Sequence, residues 1–416
     1  MTGRWFALVE SNTTGTGRDF AVAAARHGLR PVLLTRDPGR YDYVGELGLP
    51  VREVDTGDPA AVEAACRRLD PAGITSSSEY FVQTAAAVAG RLGLPAPDPA
   101  AIGRCRDKAE QRRWLDAAGV PVPAFVACHT AADAADAAAK LDGPVVVKPV
   151  YGSGSLGVRL CADPHEAFEW AAHLLSGGQP APGRPAPGPP LLVEREVTGP
   201  EFSVEIIDGR PVGVTGKYLG PPPYFVEIGH DYPAPVPVAT TAALAAVAVQ
   251  AVRAIGHVVG PAHVELRLPD GGEPTIIEIN PRLAGGLIPR LVRQATGRDL
   301  IDEVVTGAAG LPAAQPAPGG RSASIRFLLP GREGRLAGVT GLEQARELAG
   351  VIEAQCRLEP GAQVRIEHSF VDRKGHVIAS GPDPAAAAAA ADRALAQIRL
   401  VFADEPTAPA GLSLPV

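Results

Sequence analysis

The stretches His263-Val-Glu265 and Glu278-Ile-Asn280-Pro-Arg282 decide the fold. Successive side chains of a β-strand point to opposite faces of the sheet. His263 and Glu265 therefore share one face of a first strand. Glu278, Asn280 and Arg282 share one face of a second strand. The apolar residues between them, Ile277 included, should form the opposite and buried face, so the pattern predicts two strands with one polar face.

The connection between these strands predicts how they pair. Gly271-Gly272 is typical of a two-residue hairpin turn. In that register Glu265 lies opposite Glu278, and His263 lies opposite Asn280. Facing carboxylates repel each other, so we expect a cation between them, and oxygen ligands suit Mg²⁺ or Mn²⁺. We predict a metal platform that holds nucleotide phosphates; the alternative is a solvent-facing strand with ordinary polar alternation.

The composition excludes several classes of protein. The chain has 416 residues, of which 46% are hydrophobic and 20% charged, which is typical of a soluble protein with several domains. A net charge of −7 argues against nucleic acid as a partner, and no apolar run reaches the length of a membrane span. Five scattered cysteines and an N-terminus without a signal-peptide pattern predict reduced thiols and a cytoplasmic protein.

Lysine is rare in this chain. Of 39 lysines and arginines, five are lysine: Lys108, Lys140, Lys148, Lys217 and Lys374. Where arginine is used so freely, a lysine that persists indicates a need for a compact point charge, as in phosphate contacts. We expect Lys140 and Lys374 to be chance surface residues, which leaves the other three as candidates.

Strands and helices alternate through the first hundred residues. Predicted strands at 5–12, 31–35, 51–54 and 72–76 indicate a parallel sheet with ligand groups at the carboxyl ends of its strands. Gly15 and Gly17 resemble part of a dinucleotide loop, but Phe20 occupies the position of its third glycine, which favours a turn lining a shared cleft. Ser76-Ser-Ser-Glu79 either faces the same cleft or caps a helix.

The rest of the chain continues with mixed elements after a proline-rich linker at 95–99. A loop is expected around Glu227 and His230, and Arg373-Lys-Gly is expected to form a hairpin turn. We predict helices at 103–118, 131–141, 240–256, 287–296, 300–306 and 384–402, strands at 122–127, 145–149, 158–161, 191–197, 201–207, 211–219, 323–328, 364–371 and 376–379, and Pro/Gly-rich excursions at 176–190 and 311–320.

Three further features point to a phosphate-bearing ligand. Val145-Val-Val-Lys148-Pro is an apolar strand that ends in a lone cation, which needs an anion. The loop that follows can wrap phosphates with its N–H and hydroxyl groups, although a glycine hairpin turn has the same composition and no Walker ending is present. Glu194 and Glu201 lie at the edge of a predicted strand, either beside a nucleotide or on solvated faces.

Taken in order, these motifs resemble those of ATP-grasp enzymes over about residues 1–310. The resemblance implies ATP and Mg²⁺ (or Mn²⁺) as cofactors, and it implies roles for residues of the motifs. By this resemblance, Lys108 and Lys148 contact the phosphates, which are covered by the loop residues Gly152, Ser153, Gly154, Ser155 and Gly157. Glu194 and the backbone from Arg195 to Val197 bind adenine, and Glu201 binds ribose. Glu265, Glu278 and Asn280 hold the metal, Lys217 is a candidate for contact with the γ-phosphate, and Arg282 contacts the reacting carboxylate.

Within this superfamily the chain is most similar to bacilysin-type L-amino acid ligases. The similarity rests on Tyr224-Phe-Val-Glu227-Ile-Gly-His230 and on Arg282-Leu-Ala-Gly285-Gly286. It implies an amino-acid pocket lined by Glu227, His230 and Arg282, with a loop histidine of no particular role as the alternative for His230. Gly285 and Gly286 stand where some relatives carry a large side chain, which implies a roomier pocket. Their N–H groups, with Arg282, could stabilise an oxyanion.

The implied architecture is α/β and α+β multidomain. It comprises an N-terminal parallel α/β (pre-ATP-grasp) domain at 1–98, an ATP-grasp core at 99–312 with a small lid subdomain at 129–196, and a C-terminal α+β lobe at 313–416. The lobe carries no motif and either closes the cleft or forms a dimer surface.

The implied activity is ATP-dependent, ADP-forming ligation of a carboxylate and an amine through an acyl phosphate. Amino acids are the expected small-molecule substrates, and a homodimer is possible. Alternatives are another ATP-grasp ligase (of glycinamide-ribonucleotide or biotin-carboxylase type), a non-catalytic nucleotide-binding protein, and an NAD-dependent oxidoreductase.

Overall fold

A computed structural model describes residues 3–13, 16–177, 189–312 and 319–403. The N-terminal part forms a parallel sheet, as the sequence predicts. Its elements are β1 (Trp5–Val9), α1 (Gly17–Arg26), β2 (Arg30–Thr35), α2 (Tyr43–Leu47), β3 (Val51–Glu53), α3 (Pro59–Leu69), β4 (Gly73–Thr75) and α4 (Val82–Arg91), with strand order β3-β2-β1-β4. Helices α3 and α4 cover one face of this sheet and α1 covers the other. Gly17 begins α1, whereas Gly15 lies outside the described residues.

Two helices replace the single helix expected at 103–118. They are α5 (Pro99–Arg106) and α6 (Lys108–Ala117). The break falls at Asp107, which has extended backbone angles and accepts a hydrogen bond from the N–H of Glu110 (2.9 Å) as the N-cap of α6. The cap places Lys108 in the first turn of α6, at the edge of the cleft described below.

A small antiparallel sheet follows. It contains β5 (Phe125–Cys128), α7 (Ala131–Leu141), β6 (Val145–Pro149), β7 (Arg159–Cys161), α8 (Pro164–Leu175) and β8 (Leu191–Arg195), in strand order β5-β8-β6-β7. Apolar residues of α7 and α8 pack on one face of the sheet. The expected excursion at 176–190 lies largely outside the described residues.

A large antiparallel sheet forms the centre of the molecule. Its strands are β9 (Glu201–Ile207), β10 (Arg210–Leu219), β11 (Glu227–Tyr232), β12 (Pro261–Arg267), β13 (Thr275–Asn280), β14 (Ser322–Leu328), β16 (Val351–Cys356) and β18 (Gly375–Gly381), in the order β13-β12-β9-β10-β11-β14-β18-β16. The expected loop around Glu227 and His230 is therefore wrong, because both residues lie on β11. The predicted core and the predicted C-terminal lobe share this sheet, because β11 pairs with β14.

Strands β9, β12 and β13 each have one apolar and one polar face. Apolar residues of β9, β12 and β13 pack against α9 (Val238–Ile255). The alternate residues of the same strands carry charge and face the opposite side, where the candidate site lies. The helices α10 (Ile288–Thr296) and α11 (Leu300–Ala308) then cross to the N-terminal sheet and pack on the face that α1 covers.

The C-terminal part departs most from the prediction. Its other elements are β15 (Gly334–Thr340), α12 (Leu342–Glu347), β17 (Gln363–Val364), a 3-10 turn (Phe370–Asp372), α13 (Pro384–Leu395) and β19 (Arg399–Phe402), with β17-β15-β19 as a small sheet. A strand at 364–371 and a helix to 402 are wrong, and β15, α12, β16 and β19 were not expected. Arg373 is not in a hairpin turn, because β18 pairs with β14 and β16.

The hairpin between β12 and β13 has the predicted register but a different turn. Glu265 pairs with Glu278 and His263 with Asn280. The turn hydrogen bond runs from Gly272 N to Pro269 O (3.0 Å), so Gly271-Gly272 is not its central pair. A register shift after Glu265 compensates. As a result Ile276 enters the core, and Ile277, expected there, lines the cleft.

The expectation that no apolar run reaches the length of a membrane span needs correction. Helix α9 has 18 residues and a mean hydropathy of 1.7, so by length and composition it could cross a membrane. Its residues Leu244, Ala248, Val252 and Ile255 pack against the central sheet.

All five cysteines are free thiols, and four of them are buried.

Candidate active site

The polar face of the central sheet, the small sheet and α6 enclose a cleft with an empty volume of about 840 Å³. Most of the residues singled out from the sequence line it: Lys108, Lys148, Ser153, Gly154, Ser155, Glu194, Arg195, Val197, Glu201, Lys217, Glu227, Glu265, Glu278, Asn280 and Arg282. Gly152, Gly157, His230, Gly285 and Gly286 are not among the lining residues. Residues as far apart in sequence as Lys108 and Arg282 therefore meet in one place, because strands and helices of three segments converge on it.

Strand register brings a cluster of opposite charges together. Lys217 on β10 pairs with Glu201 on β9, which also pairs with Arg267 on β12. Lys217 Nζ lies 2.9 Å from Glu201 Oε1, 2.9 Å from Glu227 Oε1 and 3.0 Å from Glu265 Oε1. Burial alone would lower the pKa of Lys217, but Glu227, Glu265 and Glu201 raise it well above its ordinary value. Lys217 is therefore a fixed positive charge at the middle of the cleft.

The predicted metal ligands lie together, and lysines neutralise their charges. Glu265 contacts Lys217 and also His263, whose Nε2 lies 2.9 Å from Glu265 Oε1. Glu278 forms an ion pair with the ammonium group of Lys108 (3.0 Å). The Asn280 side-chain oxygen lies 3.5 Å from Arg282. Burial disfavours the charged form of Glu265, but Lys217 and His263 lower its pKa. Glu265 is thus kept ionised and able to bind a cation.

The donor set fits a hard divalent ion that also contacts phosphate. Across the described ranges, no group of three or more histidine, cysteine, aspartate or glutamate side chains could hold a metal by itself. The set here is two carboxylates and one amide oxygen. Mg²⁺ in proteins commonly takes one or two carboxylates and completes its shell with water and substrate phosphates. Glu265, Glu278 and Asn280 meet that requirement only together with a phosphate-bearing ligand.

A buried ion triad forms the other wall of the cleft. Glu194 on β8 lies 2.5 Å from Lys148 Nζ on β6 and 2.5 Å from Arg112 Nε on α6. Burial, with the charge of Arg112, lowers the pKa of Lys148 despite Glu194. Both oxygens of Glu194 are engaged, so recognition of adenine by its side chain stays a prediction. Arg112 was missed, although it follows Lys108 by four residues and so shares its helix face.

The glycine-rich loop after β6 lies over the cleft. Lys108 Nζ donates to the carbonyl of Gly152 (2.8 Å), and the hydroxyl of Ser155 donates to the carbonyl of Phe225 (2.8 Å). Gly154 and Gly157 have φ values of +70° and +72°, which L side chains rarely adopt. Gly157 packs against Leu174 rather than the cleft. The loop is thus tied both to a phosphate-binding candidate and to the connection between β10 and β11.

The predicted ribose and adenine contacts lie on β8, on β9 and in the segment between them. Arg267, which was also missed, donates to Glu201 (3.1 Å) and to the carbonyl of Val197 (2.9 Å). It extends the alternation of His263 and Glu265 along β12, and that spacing could have revealed it. Arg195 donates outward to Asp142 O (2.9 Å). A ribose at Glu201 would meet a carboxylate already held by two cations.

Arg282 is paired with a residue of the N-terminal part. Its guanidinium donates to Glu79 Oε2 from Nε (3.0 Å) and from Nη2 (2.7 Å). Burial alone would lower the pKa of Arg282, but the neighbouring Glu79 carboxylate raises it. Packing of α10 and α11 on the N-terminal sheet brings these residues together. Glu79 of the segment Ser76-Ser-Ser-Glu79 thus reaches Arg282 but is not among the residues that line the cleft, so the expectation that this segment faces the cleft stays a prediction. A substrate carboxylate at Arg282 has to share it with Glu79 or displace Glu79.

The far end of the cleft is built on Glu227. Its carboxylate binds Lys217 and Arg373, the second of which comes from the C-terminal part. His230 is fully buried; its Nε2 lies 3.4 Å from Glu227 Oε2, and neither ring nitrogen has a hydrogen-bond partner in the described structure. His230 reaches the cleft only through Glu227. Burial lowers the pKa of His230.

Two glycines lie beside this histidine. Gly286 has a φ of +58°, and an ideal Cβ there would lie 2.6 Å from His230 Nε2. Gly285 faces open space. Helix α10 begins one residue later than expected, at Ile288. Glycine at 286 is therefore required by the close approach of His230, whereas Gly285 leaves room for a ligand.

Comparison with known proteins agrees with this geometry. The ATP-grasp domain model matches residues 141–290, and the model for L-amino acid ligase C-terminal domain 2 matches residues 326–403. An uncharacterised protein of Sinorhizobium fredii (strain NBRC 101917 / NGR234), y4rH, is 37% identical over 395 residues, covering 94% of this chain and 81% of that protein.

More distant similarity extends over almost the whole chain. Carnosine synthase 1 of Gallus gallus is 29% identical over 431 residues, covering 95% of this chain but 45% of that protein, so the chain spans less than half of that relative. The crystal structure of L-amino acid ligase from Bacillus licheniformis has the same fold, with a TM-score of 0.80 at 22% identity, covering 97% of this chain and 100% of that one. The chain therefore belongs to the L-amino acid ligase-like family of ATP-grasp ligases.

Proposed function

We propose that this enzyme joins the carboxylate of one amino acid to the amine of another, or of an amino-acid-like metabolite, with ATP converted to ADP. The observation that carries the proposal is the single cleft in which Lys108, Lys148 and Lys217 face the oxygen ligands Glu265 and Glu278 beneath a glycine-rich loop. The match of the C-terminal part to an L-amino acid ligase domain favours amino acids as substrates.

The nucleotide end would hold ATP by charge. Lys108 and Lys148 would contact the phosphates, and Glu265, Glu278 and Asn280 would hold Mg²⁺ or Mn²⁺, which would neutralise phosphate charge. Each of these carboxylates already has a lysine partner. Phosphoryl transfer depends mostly on position and charge neutralisation. The chain's contribution is thus a set of fixed charges, with Lys217 beside the group in transfer.

The amino-acid end would bind both substrates near Arg282. The guanidinium of Arg282 would orient the carboxylate that becomes the acyl phosphate. Glu227, kept ionised by Arg373 and Lys217, would attract a substrate ammonium group. When the amine attacks, Arg282 and the N–H groups of Gly285 and Gly286 would stabilise the oxyanion. Glu79 would keep Arg282 in place while the site is empty of substrate.

The alternatives make different demands on this site. A glycinamide-ribonucleotide-type ligase or a biotin-type carboxylase would use phosphoribosylamine or bicarbonate, neither of which needs Glu227 paired with Arg373. A non-catalytic nucleotide-binding protein has no need of Arg282. An oxidoreductase would need the incomplete Gly15 and Gly17 loop to bind NAD. We also propose a cytoplasmic enzyme, consistent with its free thiols, and leave a homodimer as a possibility.

The proposed activity is tested by measuring ADP release with Mg²⁺-ATP and pairwise mixtures of amino acids, followed by mass analysis of the products. We expect one or more pairs to give an amide in equal amount to ADP, and the Glu278→Gln variant to give neither. Phosphoribosylamine and bicarbonate serve as comparison substrates. ADP without any amide, or turnover with bicarbonate alone, would reject the proposal.

A further inference from the structure

A short C-terminal segment, residues 368–373, contacts the glycine-rich loop. The backbone N–H of Phe370 donates to the carbonyl of Gly154 (3.3 Å). An ideal Cβ on Gly154 would lie 2.5 Å from the Phe370 ring. The ring therefore packs directly on the loop backbone, at a point where only glycine fits.

The other end of the same segment enters the amino-acid end of the cleft. Arg373 forms an ion pair with Glu227, and its guanidinium lies 4.5 Å from the centre of the Phe327 ring. An ideal Cβ on Gly286 would lie 3.4 Å from Arg373 Nη1. Arg373 thus contacts Glu227 and lies close to Gly286, two residues of the proposed amino-acid pocket, although it belongs to the C-terminal part of the chain.

The segment is held as a unit. His368 stacks on Tyr224, with ring centres 4.0 Å apart and planes 8° apart. The side chain of Asp372 accepts the N–H of Glu367 (2.8 Å), and Ser369 accepts the N–H of Val371 (3.3 Å). A 3-10 turn joins Phe370 to Asp372. The contacts with Gly154 and Glu227 therefore lie on one short and internally bonded segment.

We propose that Phe370 and Arg373 are positioning residues that couple closure of the glycine-rich loop to assembly of the amino-acid pocket. This inference rests on the proposed function for its identification of Glu227 with that pocket. Binding of an amino acid at Glu227 fixes Arg373, and the segment then presses Phe370 onto Gly154. The glycine-rich loop then closes over the phosphates when the amino acid is bound at Glu227, and water is excluded from the activated carboxylate.

The Phe370 contact is tested by hydrogen exchange of residues 152–158 in the protein saturated with Mg²⁺-ADP. We expect Phe370→Ala to speed exchange about tenfold by opening the loop locally, and Phe370→Tyr to restore the wild-type rate. Phe168→Ala, which removes an exposed ring from α8 of the same small sheet unit, is the matched control. If Phe370→Ala fails to fold, Phe370→Leu replaces it. A wild-type exchange rate in the folded variant would overturn the proposal.

The Arg373 contact is tested with a mixture of the twenty L-amino acids as the probe. In the wild-type protein with Mg²⁺-ADP the mixture should slow loop exchange further. Arg373→Gln should abolish that response, Arg373→Lys should recover part of it, and Arg393→Gln on α13 should leave it unchanged. In ADP-release assays Arg373→Gln should raise the amino-acid KM about tenfold, since the residue that positions Glu227 is lost.

The outcomes separate this inference from the proposed function. A loop that does not respond to amino acids in the wild-type protein, or that responds equally in Arg373→Gln, would refute the coupling. Absence of amide from every amino-acid pair would refute the ligase activity, and the exchange measurements would still decide whether the segment ties the loop to Glu227.

Discussion

The two ends of the cleft obtain their charges from different parts of the chain. At the nucleotide end, Lys108 pairs with Glu278 and Lys148 with Glu194, all within α6 and the antiparallel sheets. At the amino-acid end, Arg282 pairs with Glu79, 203 residues away, and Glu227 with Arg373, 146 residues away. The first end is a property of the ATP-grasp core. The second exists only when the N-terminal and C-terminal parts are packed against that core.

Lys217 belongs to both ends, so its removal should have the largest effect. Lys217→Met leaves Glu201, Glu227 and Glu265 without their shared cation, and breaking a buried ion pair costs about 3–5 kcal/mol. We expect urea denaturation to show a loss of that size, with weaker binding of both Mg²⁺-ADP and amino acids. Lys140→Met, on the surface helix α7, is the control. A loss confined to one ligand would place Lys217 at one end only.

Arg282→Ala should affect only the amino-acid end. Loss of one oxyanion donor lowers turnover by about a hundredfold or more. We expect that decrease in ADP release, while the Kd for Mg²⁺-ADP, measured by calorimetry, stays within about threefold, because the proposed contacts of Arg282 are with the substrate carboxylate and the oxyanion, not with the nucleotide. Equal loss of nucleotide binding would show that the two ends are not separable at Arg282. An unchanged rate would remove Arg282 from the mechanism.

Arg112→Met should affect only the nucleotide end. The fully buried guanidinium bonds Glu194, and losing a hydrogen bond between charged groups costs about 1.5–3 kcal/mol. Lys148 remains to neutralise Glu194, which keeps the cost below that of Lys217→Met. The predicted signature is lower stability and weaker Mg²⁺-ADP binding with an unchanged amino-acid KM. Arg113→Met removes the neighbouring exposed arginine and should change stability by no more than about 0.5 kcal/mol.

The smallest effect concerns pH at the amino-acid end. Burial lowers the pKa of His230 in the folded protein, so below its ordinary pKa of about 6.5 the unfolded chain binds a proton that the folded one does not. Stability should therefore fall as pH drops below that value and be unaffected above it. We expect the pH dependence of unfolding free energy in wild type to exceed that of His230→Gln by about 1 kcal/mol per pH unit in this range. Parallel curves would contradict a neutral buried His230.

The contrast between the two ends also explains what could be predicted from sequence. Alternation along β9, β12 and β13 assigns each residue to a face, so the partners Glu265 and Glu278 followed from a local pattern. The predicted pairing of Glu265 with Glu278 is correct although the predicted turn is wrong, because a bulge at Ile277 compensates for the different turn. No local sequence pattern predicts that bulge. Arg112 and Arg267 had such signals, in helical and strand spacing, and were overlooked.

The amino-acid end could not be predicted in the same way. Glu227 and His230 lie on β11, where the adjacent polar residues His230 and Asp231 are both buried and Ile228 is exposed, so the strand lacks the usual apolar alternation. Arg373 enters the site through packing of the C-terminal part and carries no spacing signal. Its partner Glu227 was predicted, but only by resemblance to known ligases.

The central claim is that Glu265 and Glu278 hold divalent ions so that a bound nucleotide can activate a carboxylate. A crystal structure with a nonhydrolysable ATP analogue and Mg²⁺ tests it most directly. The account predicts ions about 2.0–2.1 Å from oxygens of Glu265 and Glu278 and from the analogue's phosphates. A nucleotide bound without an ion at these carboxylates, or bound outside this cleft, would contradict it.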